Sequence, residues 1–327
     1  MSVPRGPKGR QTVAMTDLSL VRPDNRAFVD FPIFDPAQDR LPEFRSGMLE
    51  RFAALAPLDK TGTEDFFIPS EFGAPDVRVI VYRPKAMAAS APALLFVHGG
   101  GYFSGAPDLV DAANHALAEL TGGIVVAVDY RLAPETAYPG ALEDCYSVLR
   151  WLDRSAVSLG IDAGRISLYG ESAGGGLAAA TALFARDRGE VSLKAQLLLY
   201  PMLDARTGTA DAPFDNRTTG QFVWNRSANR FGWSALRGQL SAVDDGKGYF
   251  SPALASDLAG LPPTFIAVGS VDLFLDEDVD YALRLSRAAV PVTLHVYEGA
   301  IHGFDLMPGE LQDQFRYDFT AAVRRLV

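Results

Sequence analysis

Cysteine occurs once in this 327-residue chain, at Cys145, so no intramolecular disulfide is possible and the fold has to rest on its apolar core. Cys145 sits in the helical-looking ALEDCYSVLRWLDR, where a small buried apolar residue is expected. Dense blocks of lysine or arginine are missing as well. With 30 basic residues against 40 acidic ones and a net charge of −10, the electrostatic footprint of a nucleic-acid binder is excluded. No apolar run reaches membrane-spanning length, and the N-terminal MSVPRGPKGRQTVAMTDLSL carries basic residues without the apolar centre of a secretory signal. A soluble cytoplasmic protein without stable membrane insertion is the expectation. Histidine is scarce too, and its four positions limit the candidates for any general base.

What is present is ordinary globular material, 48% hydrophobic and 21% charged, enough for one large domain with an insertion. The first twenty or so residues, with Pro4, Gly6, Pro7 and Gly9, look mobile, and PEFRSGMLERFAALAPL then reads as an amphipathic helix ending before Pro57. EDFFIPSEF and DVRVIVYRP alternate as paired early strands. PALLFVHGG and GGIVVAVDY are short continuous apolar runs of the kind buried on both faces of a parallel sheet. Helical stretches precede the strands GGIVVAVDY, RISLYG and LKAQLLLYP, and LDEDVDYALRLSRAA separates PTFIAVGS from PVTLHVYEG. Repeated strand, helix, strand predicts a mostly parallel, doubly wound α/β sheet of about eight strands, with functional residues on loops at the carboxyl ends of strands. Residues 204–246 break that rhythm: GQFVWNRSANRFGWSALRG is rich in aromatics and arginine and has no flanking strand. The predicted division is an N-terminal segment, 1–60, which joins the 204–246 insertion in a helical cap. The main domain is then 61–203 and 247–327.

Ser172 stands in YGESAGGG, between the apolar run GRISLYG and the alanine-rich GGGLAAATALF. A G-x-S-x-G pentapeptide in strand-turn-helix context predicts a nucleophile elbow, with Gly170 and Gly174 permitting the sharp turn. A serine hydroxyl needs a base, and the base needs a carboxylate to fix its tautomer and stabilise the imidazolium. His115 falls inside a predicted helix and His295 inside a predicted strand, which suits structural roles. His98 opens the glycine-rich HGGGYFSG, whereas His302, in EGAIHGFDLM, follows the last predicted strand on a loop and is the candidate base. Asp272, at the end of FIAVGS, is the candidate acid, while Asp276, Glu277 and Asp278 open the next helix, where acids favour the dipole. The order Ser172, Asp272, His302 is that of an alpha/beta-hydrolase. Attack on an ester carbonyl makes an oxyanion, and the amides of Gly100, Gly101 and Ala173 are the candidates to hold it. HGGG as a phosphate loop lacks a Walker lysine or dinucleotide spacing.

With HGGG at 98–101, DYRLAPE at 129–135, GESAGG at 170–175, DLFLDE at 272–277 and HGF at 302–304, the chain resembles the bacterial hormone-sensitive-lipase-like alpha/beta-hydrolases. The resemblance covers residues from about 75 to the C-terminus. It implies the same triad and oxyanion hole, a cap from the N-terminus and an internal insertion, hydrolysis of small to medium carboxylic esters, no cofactor or metal, and homodimers paired through the last strand. Two departures stand out: Glu171 where aspartate or threonine is common, and Leu273 and Phe274 where proline and leucine usually follow the acid.

Tyr102, Phe222 and Trp224 are candidate walls of the substrate pocket, with Phe103, Phe231 and Trp233 beside them. Asp129, Tyr130 and Arg131 read as structural, Arg131 anchoring the turn before Pro134. The function expected is a serine carboxylesterase with a small-molecule ester as substrate. An acyltransferase sharing the acyl-enzyme, or a non-catalytic ligand-binding protein on the same fold, are the alternatives.

Overall fold

The computed structural model describes residues 18–55, 62–240 and 246–327. The stretch expected to be mobile lies outside them up to residue 17. The chain folds into one eight-stranded sheet: β1 (Thr63–Ile68), β2 (Val77–Tyr82), β3 (Ala91–Val97), β4 (Ile124–Val128), β5 (Ile161–Glu171), β6 (Gln196–Leu199), β7 (Thr264–Gly269) and β8 (Val292–Tyr297). Their order across the sheet is β1-β2-β4-β3-β5-β6-β7-β8. β2 runs antiparallel to both β1 and β4, and every other pairing is parallel.

The continuous apolar runs become the central strands because both of their faces are covered. Ala93, Leu95 and Val97 of β3 join one buried cluster, while Leu94 and Phe96 join the other. The first cluster takes in α3 (Gly140–Arg154), α5 (Ala173–Arg188) and α7 (Leu275–Arg287), and the second takes in α2 (Asp111–Thr121) and α8 (Glu310–Leu326). Each Leu or Phe side chain removed from water there contributes about 1.5–3 kcal/mol before conformational entropy is subtracted. Cys145 is fully buried in α3, as a small apolar residue would be. One element goes beyond the sequence expectation: α8 closes the chain and places Leu311 and Phe315 against the sheet.

The helix expected after residue 41 is α1 (Leu41–Leu55), and α4 (Ala156–Leu159) is a single turn after α3. Between β6 and β7 the chain makes its longest excursion from the sheet, carrying α6 (Arg226–Arg237), whose start is capped by the Asn225 side chain accepting from the Ala228 amide. Both α1 and this excursion lie over the carboxyl ends of the parallel strands. Phe34 bridges them, with its ring 5.0 Å from Phe44, 5.1 Å from Phe103 and 4.8 Å from Phe231. Among the described residues no helix is long and apolar enough to cross a membrane.

Candidate active site

β5 ends at Glu171 and α5 begins at Ala173, so Ser172 alone makes the turn, at φ 55° and ψ −121°. That conformation is sterically costly for a residue with a side chain and persists only where neighbours enforce it. Here the Ser172 amide donates to the Leu199 carbonyl, and the Ser172 carbonyl accepts from the amides of Gly176 and Met202. The glycines on either side are obligatory: a Cβ on Gly170 would meet the Gly174 carbonyl oxygen at 2.2 Å, and one on Gly174 would meet that of Val97 at 2.1 Å. The elbow therefore lifts a hydroxyl above the sheet edge.

His302 and Asp272 come to it from the loops after β8 and β7. The Ser172 Oγ lies 2.9 Å from His302 Nε2, and His302 Nδ1 lies 2.7 Å from Asp272 Oδ2. All three side chains are buried. With the ring proton on Nδ1 donated to Asp272, Nε2 is left to accept from the serine hydroxyl. Asp272 is itself held, since its Oδ1 accepts from the Phe274 amide at 3.0 Å. The imidazole is boxed by the rings of Tyr200, at 4.5 Å, and Phe274, edge-on at 5.3 Å. Thus one of the two departures after the acid, Phe274, packs directly against the histidine.

The glycine-rich loop after β3 passes beneath the same point. Gly100 adopts φ 122°, and its carbonyl accepts from the amides of Phe103 and Ser104 and from the Ser104 hydroxyl, which fixes the loop. Gly100 and Gly101 form part of the cavity wall beside Ser172, and Ala173 is the first residue of α5. His98 is buried and stacked on Tyr130, and burial holds its imidazole neutral by pushing its pKa down to about 4. Tyr130 in turn donates to the His98 carbonyl, and Arg131 forks onto Asp144 and reaches the Gly140 carbonyl. His115 and His295 lie elsewhere, against Tyr82 and Asp318 respectively. The acids at the start of α7 do more than face its dipole. Glu277 is buried and accepts from the amides of Leu203 and Asp204, bracing the chain after β6.

A cavity of about 150 Å³ opens over Ser172 and His302. Its walls are mostly apolar, with Phe28, Phe34, Phe44 and Met48 from the N-terminal segment and Val223 and Trp224 from the excursion after β6. Trp224 is where the sequence predicts it. Tyr102 and Phe222 are not in the wall, which corrects that expectation. Tyr102, at φ 69°, turns beneath the loop, donates to the Met202 carbonyl and packs on Trp233. Phe222 precedes a reversal at Val223, φ 59°, that sends Val223 and Trp224 to the cavity and Phe222 into a separate cluster with Val21, Phe28, Val271 and Ile301. Phe103, Phe231 and Trp233 support the walls from behind. Of the wall residues missed by the sequence reading, Phe28, Phe31 and Phe34 come from NRAFVDFPIF, an aromatic-dense stretch without a regular period, whereas Phe44 and Met48 come from α1 and Val223 from the excursion after β6.

Glu171 also faces the cavity. Its Oε1 accepts from the Tyr169 hydroxyl at 2.5 Å, and burial, with repulsion from Asp305 added, pushes its carboxyl pKa up to about 8. Among the described residues no group of three or more His, Cys, Asp or Glu side chains could hold a metal ion.

Comparison with known proteins places this geometry. A family model for the alpha/beta hydrolase fold matches residues 94–306. The chain is 33% identical over 302 residues to the carboxylesterase NlhH of Mycobacterium tuberculosis, covering 89% of this chain and 92% of that one. It is 31% identical to an arylesterase of Saccharolobus solfataricus, covering 83% and 87% of the two. Among solved structures, a bacterial heroin esterase superposes with a TM-score of 0.85 at 34% identity, over 95% of this chain and 99% of the other. The chain is an alpha/beta hydrolase. Within that fold it belongs to the hormone-sensitive-lipase-like family.

Proposed function

We propose that Ser172 is the nucleophile, His302 the general base and Asp272 the orienting acid of a serine carboxylesterase that works through an acyl-enzyme. The chain is a carboxylic ester hydrolase. The observation that carries the mechanism is the unbroken run of contacts from Ser172 Oγ through His302 to Asp272, at 2.9 and 2.7 Å. His302 Nε2 takes the hydroxyl proton as Oγ attacks the ester carbonyl, and Asp272 stabilises the imidazolium that forms. The amides of Gly100, Gly101 and Ala173 hold the oxyanion, each donor contributing on the order of 10²–10³ in rate. The imidazolium then gives its proton to the departing alcohol. Water activated by His302 attacks the acyl-enzyme, and Ser172 recovers its proton as the acid leaves.

The N-terminal segment and the excursion between β6 and β7 form the cap over this site. Phe34, Phe44, Val223 and Trp224 give the bound ester an apolar surface in a confined space, which favours short- to medium-chain esters. Hydrolysis of p-nitrophenyl esters from acetyl to palmitoyl, by the wild type and Ser172→Ala, tests both parts. The expected result is turnover that peaks at short or medium chains and falls by about 10⁴–10⁶ in the variant. Turnover that survives Ser172→Ala removes the triad assignment, and a peak at palmitoyl removes the confined pocket.

A further inference from the structure

Ser104 stands three residues beyond HGGG, is buried and forms part of the cavity wall, yet it belongs neither to the proposed triad nor to the proposed oxyanion donors. Its hydroxyl donates to the Gly100 carbonyl at 2.9 Å. The same oxygen accepts from the amides of Phe103, at 3.1 Å, and of Ser104 itself, at 2.9 Å. Those two backbone donors close the turn and already match the two lone pairs of a carbonyl oxygen. The hydroxyl is a third donor that the turn does not require.

What it changes lies on the other side of the peptide. The Gly100 carbonyl and the Gly101 amide belong to one trans peptide unit, so the C=O and N–H point in opposite directions. With the carbonyl turned into the loop, the N–H is directed out of it, and among the described residues no backbone carbonyl accepts from it. Donors on a carbonyl draw electron density from the peptide and strengthen its N–H as a donor, by about 10–30% per bond. We propose that Ser104 is a positioning residue for ester hydrolysis, whose hydroxyl fixes and polarises the peptide that presents the Gly101 amide to the oxyanion. The inference rests on the oxyanion hole proposed above.

The other two proposed donors have the same backing. Gly100 shares its peptide with the Gly99 carbonyl, which lies 2.8 Å from His98 Nδ1. A carbonyl can only accept, so the proton of the neutral ring sits on Nδ1, and Nε2, buried without a partner, is the bare nitrogen. Ala173 shares its peptide with the Ser172 carbonyl, which accepts from the amides of Gly176 and Met202. Each amide assigned to the oxyanion is therefore one half of a peptide whose other half is already bonded. Ser104 is the member of this pattern that can be probed cleanly, since its hydroxyl is a single atom, whereas His98 is stacked on Tyr130 and its removal opens the core.

The test compares the wild type with Ser104→Ala. It reads steady-state kinetics on p-nitrophenyl butyrate, inhibition by an alkyl trifluoromethyl ketone, whose adduct with Ser172 carries an oxyanion, and the ¹⁵N–¹H resonance of the Gly101 amide. A whole oxyanion donor contributes on the order of 10²–10³ in rate, so weakening one by about 10–30% predicts a fall in kcat of about two- to eight-fold with KM unchanged. The inhibition constant rises by the same factor, because the adduct resembles the transition state, and the Gly101 proton moves upfield in the free enzyme. A role confined to packing lowers thermal stability and leaves those readouts in place. An unchanged kcat, or a fall in kcat that the inhibition constant does not follow, overturns the inference. If the alanine variant does not fold, Ser104→Cys, close in size but with only a weak S–H donor, is read by the same criteria. The oxyanion-hole reading fails separately: a Gly101 resonance that stays in place when the wild type forms the ketone adduct removes that amide as a donor. A resonance that moves on adduct formation, with no effect of Ser104→Ala, removes Ser104 alone.

Discussion

The loops at the carboxyl ends of β3, β5 and β7 are fixed by backbone hydrogen bonds and close backbone contact, whereas α1, facing them across the cavity, is held by the ring of Phe44 and the guanidinium of Arg45. On the first side, the Ser172 backbone makes three hydrogen bonds and the Gly100 carbonyl accepts three more. On the second, α1 has no fully buried residue among those whose side chains are described. It is anchored by Arg45, whose Nε donates to the Phe103 carbonyl, whose Nη2 donates to that of Ala133, and whose fork pairs with Glu135. A reacting constellation tolerates displacements of only about half an ångström, which backbone hydrogen bonds can enforce. Substrate fit tolerates more, and side-chain contacts suffice for it. The contrast predicts that perturbing the first side lowers kcat, and that perturbing the second changes KM.

The largest departure is expected at Gly100. A Cβ there would meet the Ser104 carbonyl oxygen at 2.1 Å in a backbone conformation that only glycine adopts freely. Gly100→Ala has to shift the loop and its amides. Misalignment of one of the proposed oxyanion donors predicts a fall in kcat of about 10²–10³ with KM nearly constant. Steady-state kinetics on p-nitrophenyl butyrate measure both constants. A change confined to KM would place the loop with the pliable side.

How much of this was legible in the sequence follows the same division. The elbow, the glycine loop, His302 and Asp272 can be read because their chemistry demands particular residue types at strand ends, and the order of strands comes from continuous apolar runs. The cavity walls cannot be read in that way. Tyr102 and Trp224 are both aromatic residues beside turns, and their roles are decided by a left-handed residue, Tyr102 itself in one case and Val223 in the other. The contribution of Phe28 and Phe34 depends on the long-range docking of a segment without a regular period, and that of Phe44 on where α1 docks. α8 is a different case, because Leu311, Phe315, Phe319 and Ala322 recur at helical spacing and only their polar surroundings obscure it. Glu171 was visible as a departure from the family pattern, but its burial beside the cavity, with its carboxyl accepting from Tyr169, was not.

A mid-sized effect concerns pH and belongs to the rigid side. His98 is neutral and buried under the glycine loop, with its pKa pushed down to about 4 from the 6.5 of an exposed imidazole. As pH falls from about 6.5 towards 4 the unfolded chain binds a proton that the folded one refuses, so stability present above 6.5 is progressively lost. The loss reaches at most about 3 kcal/mol, and below pH 4 this group adds nothing further. Urea unfolding at pH 7 and pH 4.5 measures it, with His98→Asn as the control that shows a smaller difference. An equal difference in the two proteins would assign the acid sensitivity to other groups.

The smallest effect is expected on the pliable side and is the sharpest test of the contrast. Arg45→Met keeps most of the aliphatic stem of the side chain but removes every hydrogen bond that ties α1 to the loops at Phe103, Ala133 and Glu135. Phe44 and Met48, on the same helix, then lose their fixed position in the cavity wall. KM should rise about five-fold with kcat within about two-fold, because the helix supplies binding that ground state and transition state share. Arg45→Lys should recover little of this, since an ammonium cannot serve two carbonyls and a carboxylate at once in the planar geometry of a guanidinium. If instead kcat falls in step with kcat/KM, the helix shapes the transition state as well. Arg45 would then belong with the backbone-held side of the cavity, and the division drawn above would have to move from the cavity to the outer face of α1.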